Sequence, residues 1–153
     1  MSNTIYNEAK ARMQNGGLDL DTDTIKVLAI AGTGALDPDH GTVAAVLAAS
    51  AELSTTGYTG GAGGSGRKTV TMAVTKDNAN DRSDAVSNSQ TWSAVSAGSA
   101  PNDKIQKFLF YKHVSSSDDT LNIPIFAVDT ASGLPFTLNG SDVQLAAQTL
   151  RLA

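Results

Sequence analysis

KIQKFLFYKH (Lys104 to His113) and LNIPIFAV (Leu121 to Val128) are the two stretches that decide the fold. Both are short apolar runs with aromatic and β-branched residues, bounded by polar clusters, and they are the strongest strand signals in the chain. Ser115 to Asp119 lies between them as a turn, so the pair reads as a β-hairpin. Pro124 has no N–H for a ladder, which predicts an edge or a bulge at that point of the second strand.

Outward from this hairpin the texture stays β. Arg67 to Lys76 alternates, with Val70, Met72 and Val74 on one face and Thr69, Thr71 and Thr75 on the other. Gln90 to Val95, around the single tryptophan Trp92, reads as another strand, and Val143 to Leu152 as a closing one. Asp77 to Asp84, Asp129 to Pro135 and Asn139-Gly140 read as turns and loops. Upstream, Leu18 to Ala31 starts polar and becomes an interior strand, apolar on both faces toward its end. Gly32 to Gly41 is a loop, and Thr42 to Ala51 a short Ala-rich helix. Thr4 to Asn15 reads as a helix with Ile5, Ala9 and Met13 in a narrow stripe, ended by Gly16-Gly17. The predicted fold is mainly β: a single-domain antiparallel β-sandwich or barrel-like sheet with one or two short N-terminal helices. Residues 1–17 form a helical arm in this reading and residues 18–153 the β-rich domain. Six of the 14 glycines fall in a loop at 57–66, expected to be flexible because glycine adds backbone freedom.

Composition removes several function classes. The 153 residues carry 11 basic and 15 acidic side chains, a net charge of −4, which disfavours a nucleic-acid partner. No window is apolar for long enough to span a membrane. The N-terminus lacks the charged-then-apolar layout of an export signal. With no cysteine there is no disulfide, thiolate metal site or thiol nucleophile.

The motifs that suggest chemistry each fail at a position their mechanism needs. Gly61 to Thr69 resembles a phosphate-binding loop, but Arg67 separates the last glycine from Lys68 and a strand follows where a helix is required. Gly32-Thr33-Gly34 opens like a dinucleotide fingerprint, yet Asp37 and Pro38 stand where a small residue must pack. Asp19, Asp21 and Asp23 could gather a cation, but Thr24 and Ile30 occupy the glycine and carboxylate positions of a calcium loop. His40 and His113 are the only histidines, and no nucleophile elbow accompanies them. No catalytic residue, cofactor or metal is therefore expected. Trp92, Phe108, Phe110, Tyr111 and Phe126 read as core. Tyr58, set in the glycine-rich loop with nothing obvious to bury it, reads as a contact residue.

The order of segments resembles small virion structural proteins of tailed bacteriophages. The likeness is carried by LDLDTDTIKVLAI, by Glu52 to Thr59 (ELSTTGYT) opening a glycine-rich segment, by KFLFYKH, by IPIFAVDTASGLPFTLNGSDV and by the terminal LRLA. The extended tract from Gly60 to Gly66 departs from that pattern. The resemblance implies a non-enzymatic, many-copy role in the virion, decorating or cementing the capsid, after synthesis in the host bacterial cytoplasm. The implied partners are the major capsid protein or another virion protein, together with further copies of this chain as a homo-oligomer. Ile5, Tyr6, Met13 and Tyr58 are the residues expected to touch another polypeptide. A neck, tail or fibre component is one alternative. A carbohydrate-binding β-sandwich module is another, favoured if Trp92 and Tyr58 are exposed together on one face.

Overall fold

In chain order, the computed structural model, which describes residues 3–129 and 133–152, has β1 (Asn3–Ile5), α1 (Asn7–Gln14), β2 (Ile25–Ile30), α2 (Val43–Ala49), β3 (Lys68–Val70) and β4 (Met72–Asp77). There follow β5 (Arg82–Ser87), β6 (Gln90–Trp92), β7 (Lys104–Ile105), β8 (Lys107–Lys112), β9 (Ile123–Val128), β10 (Phe136–Thr137), β11 (Val143–Leu145) and β12 (Thr149–Leu152). The five-stranded sheet runs β1-β9-β8-β2-β3, the three-stranded sheet runs β12-β5-β4, and β11-β6 and β10-β7 form two short ribbons. Every pairing is antiparallel. The architecture is mainly β and sandwich-like, with two short helices, and it is not a closed barrel.

The expected hairpin is the centre of the large sheet. β8 and β9 pair from Phe108↔Val128 to Lys112↔Ile123. Between Phe110↔Phe126 and Tyr111↔Pro124 the register slips, so Ile125 is the extra residue of a bulge beside Pro124. That bulge lets β9 carry a proline while lying between β1 and β8. Alternation then sorts the side chains. Val27, Ala29, Phe108, Phe110, Phe126 and Val128 face the main core, while Leu28, Ile30, Leu109, Tyr111 and Ala127 face a second cluster closed by Val43 and Val46 of α2. Phe110 stacks on Phe126 with centroids 4.3 Å apart, and Trp92 stacks on Phe108 at 5.6 Å. Such aromatic pairs add roughly 0.5–1.5 kcal/mol beyond their area. The Thr42 Oγ1 caps α2 by accepting the Ala45 N–H at 3.2 Å.

Several sequence expectations need correction. Residues 3–5 are a strand, and the helix begins only at Asn7. β1 pairs with β9, and the Tyr6 N–H continues that ladder to the Ile125 carbonyl at 3.0 Å. The N-terminal segment is therefore built into the large sheet and is no separate arm. Gly16, at φ +75°, ends α1, and the Gly17 N–H reaches back to the Arg12 carbonyl at 2.8 Å. The strand expected over 67–76 is two strands that serve different sheets, β3 on β2 and β4 on β5. The closing strand is likewise split between β11 on β6 and β12 on β5. β5 starts at Arg82, inside the polar connection expected over Asp77 to Asp84, and runs on to Ser87.

The glycine-rich loop is ordered by its own contacts. Gly64 N–H bonds to the Gly61 carbonyl, and Gly66 N–H to the Thr59 carbonyl at 3.0 Å. A Cβ on Gly64 would lie 2.2 Å from the Thr59 oxygen, so close backbone approach is what this glycine supplies.

Candidate functional site

Two features concentrate chemistry, one interior and one at the surface. The interior feature is Arg67, delivered by the end of the glycine loop just before β3. Its Nε and Nη2 bond to Glu52 at 2.9 and 2.6 Å, and its Nη1 and Nη2 bond to Asp119 at 2.6 and 2.8 Å. The remaining Nη1 hydrogen points to the Tyr111 hydroxyl at 3.5 Å, so all five guanidinium donors are directed at acceptors. The guanidinium carbon also stands 5.4 Å from the Tyr111 ring centroid. Burial alone would lower the Arg67 pKa, but Asp119 and Glu52 override it and raise it, keeping the guanidinium charged.

Around this pin the other polar groups are also engaged. Asn122 donates to Asp119 Oδ1 at 2.9 Å and accepts the Val114 and Ser115 N–H groups. Burial would raise the Asp119 carboxyl; the hydrogen bonds from Arg67 and Asn122 hold it below its ordinary value instead. Tyr58 accepts the Ala29 N–H at 2.8 Å and donates to Glu52 at 3.3 Å. Its phenol is pushed well up, by burial first and then by the Glu52 charge, so it stays protonated. This cluster ties loop 52–67 to the β8–β9 connection. Its saturated hydrogen bonding makes it a structural pin.

The surface feature is a cleft of about 320 Å³ between the three-stranded sheet and the chain that follows α1. Val74, Ser83, Ala85, Leu150 and Leu152 line it from β4, β5 and β12, opposite Met13, Gly16 and Leu18 to Asp21. Cross-strand register explains why these residues share a face. Val74 pairs with Ala85 and Leu150 with Ala85, one row from Ser83↔Leu152. The opposite face carries Arg151 bonded to Asp84 at 2.8 Å and Arg82 bonded to Asp77 at 2.8 Å. Val74 is 47 % exposed and Leu152 38 % exposed at the mouth, while Leu18, Leu20, Ala85 and Leu150 are buried in the floor.

The aspartates of the D-x-D-x-D run divide between two tasks. Asp23 Oδ2 accepts the Asp19 N–H and the Lys112 ammonium, each at 2.8 Å. Burial would raise its carboxyl, but these two partners outweigh it and hold it down. Asp19 and Asp21 lie on the cleft. The hydrogen bond to Asp19, and then the Asp19 charge, raises the Asp21 carboxyl, while the same bond lowers that of Asp19. Among the described residues no Lys or Arg pairs with either, and no three metal-ligating side chains converge.

The residues expected to contact another polypeptide fare differently. Tyr6 is fully buried at the α2-side cluster and Tyr58 is 1 % exposed in the main core, so neither presents its side chain to a partner. Tyr58 is covered because the glycines leave room for its ring, a signal that apolar patterning does not carry. Ile5 and Met13 are partly buried against the main core, and only Met13 reaches the cleft. Among the described residues no helix is long and apolar enough to cross a membrane. Compared with protein-family models, curated proteins and solved structures, the chain matches none.

Proposed function

We propose that this chain is a non-enzymatic structural protein of a tailed-bacteriophage virion, which decorates or cements the capsid through repeated protein–protein contacts. The segment order described above supports the family. The observation that carries the contact role is the three-stranded sheet, whose end strands β12 and β4 each form a strand pairing on one side only among the described residues. Exposed Val74 and Leu152 lie on one face of it and exposed Val86 on the other, three of the five large apolar side chains that the described structure leaves exposed. Sheet ends and apolar surface together suit association with another polypeptide. Many identical weak contacts on a lattice add by avidity, so no deep pocket is needed.

The carbohydrate-binding alternative loses its discriminating feature, because Trp92 and Tyr58 are both buried. Trp92 instead donates its indole N–H to the Gly66 carbonyl at 2.5 Å. The experiment is a copy count on purified particles by quantitative mass spectrometry, with imaging of a labelled chain. Copies in register with the capsid lattice support decoration. A small ring of copies at one vertex moves the protein to the neck or tail, and absence from particles overturns the reading.

A further inference from the structure

We propose that the cleft between the β4-β5-β12 sheet and residues 16–21 is the docking site for an extended segment of a partner polypeptide, one that places a large aliphatic side chain beside a lysine or arginine. This deepens the preceding reading and rests on it, since it names the surface through which the chain holds its partner. The floor is aliphatic, from Leu18, Leu20, Ala85 and Leu150, and its mouth is flanked by exposed Val74 and Leu152. An aliphatic side chain laid on such a floor takes its apolar surface out of water, which favours binding.

Charge fixes the rest of the partner's chemistry. Asp19 and Asp21 stand in the lining of the same cleft with no cation from the described chain, whereas Asp23, Asp77 and Asp84 have theirs in Lys112, Arg82 and Arg151. Two adjacent carboxylates beside an apolar floor attract a cationic group whose stem can lie on that floor, as lysine and arginine stems do. The extended form follows from β12, which contributes Leu150 and Leu152 to the cleft and stands at the end of its sheet. A strand added there would send alternate side chains into the cleft, toward the row that Leu150 and Leu152 occupy.

The test uses the full chain and two short synthetic peptides, one alternating leucine with lysine and its twin alternating leucine with glutamate. Binding is read by fluorescence anisotropy, and sedimentation velocity follows the chain alone. The lysine peptide is expected to bind at least about threefold more tightly than its twin, with the preference removed in the Asp19→Asn, Asp21→Asn double variant. Val74→Arg, at an exposed position, is expected to weaken the lysine peptide about tenfold while circular dichroism stays unchanged. Equal binding of the two peptides, no binding of either, or full binding to Val74→Arg would overturn the proposal. A concentration-dependent dimer of the chain alone that Val74→Arg dissolves would overturn it too, by giving the cleft to a second copy. The copy count is read on particles and the peptide affinity on the isolated chain, so the two readings can fail separately.

Discussion

Gly66 lies flat against the ring of Tyr58: a Cβ at Gly66 would stand 2.5 Å from both Cδ1 and Cε1 of the tyrosine. The glycine run and the buried phenol are therefore one feature, since the missing side chain is what admits the ring. Gly66→Ala forces the ring or the backbone to shift, and overpacking of this kind costs about 1–3 kcal/mol. Urea unfolding of the variant should show a lower midpoint with little change in slope. Tyr58→Phe keeps the packing but leaves the buried Ala29 N–H without its acceptor, so a loss of about 1–3 kcal/mol is expected.

Arg67 should be the least replaceable polar residue of the chain. Its side chain is fully buried between Glu52, 8 % exposed, and Asp119, 17 % exposed. Removing the guanidinium leaves two carboxylates facing each other in a site with little water. Arg67→Ala is expected to cost about 3–5 kcal/mol, the range for breaking one side of a buried ion pair. Arg67→Lys keeps the charge but cannot reproduce the fork that spans both acids, so it should fall between the wild type and alanine. Thermal melts of the three proteins order them directly.

β8 and β9 are the plainest strands in the sequence because both of their faces are filled, whereas β4 is legible from alternation alone. In β8 and β9, the aromatic and β-branched run is long enough to exclude other readings, and the hairpin follows. β5 could not be read this way, because its buried residues are Ala85 and Ser87, which look like loop composition. β1 was hidden because Ile5 also fits the helical stripe of Ala9 and Met13; pairing with β9, far along the chain, decides between the two. The Arg67 pin joins residues 15 and 52 positions away, separations at which one sequence carries no spacing signal. The cleft was hidden for the same reason: its walls come from residues 13–21, 74–85 and 150–152.

Stability should fall in two steps on acidification. His113 has its pKa lowered by burial and by the Lys26 and Arg67 charges, with Asp119 opposing. The unfolded imidazole thus binds a proton first, and stability is lost as pH falls below the ordinary histidine value of about 6.5. Asp119 has its pKa held below the ordinary carboxylate value against the raising effect of burial, so its contribution is full above about pH 4 and is lost as pH falls through its lowered pKa. Urea midpoints measured against pH should show a shallow decline and then a steeper one. His113→Gln should remove the first step alone, and a decline that persists in that variant would assign it to another group.

Removing the N-terminal segment should unfold the chain and not simply loosen an attachment. β1 fills one side of β9 through Asn3↔Val128, Thr4↔Ala127 and Ile5↔Phe126, and Tyr6 continues that ladder to Ile125. The Tyr6 ring is completely buried with Leu28, Leu109 and Ala127, and Ala9 is buried in the main core on the other side. Deleting residues 1–15 would expose both clusters and the length of β9. Tyr6→Ala alone should cost about 3–5 kcal/mol, as large aromatic truncations in cores do. Tyr6→Phe separates packing from polarity. Among the described residues its buried hydroxyl has no hydrogen-bond partner, and burial followed by the Asp129 and Asp37 charges raises its pKa. Replacing both an unsatisfied hydroxyl and its burial cost with an apolar edge is close to neutral or stabilising. Differential scanning calorimetry should therefore show a large drop in Tm for Tyr6→Ala and none for Tyr6→Phe. A well-folded deletion variant with the wild-type Tm would instead make this segment the detachable arm that its helical pattern suggests.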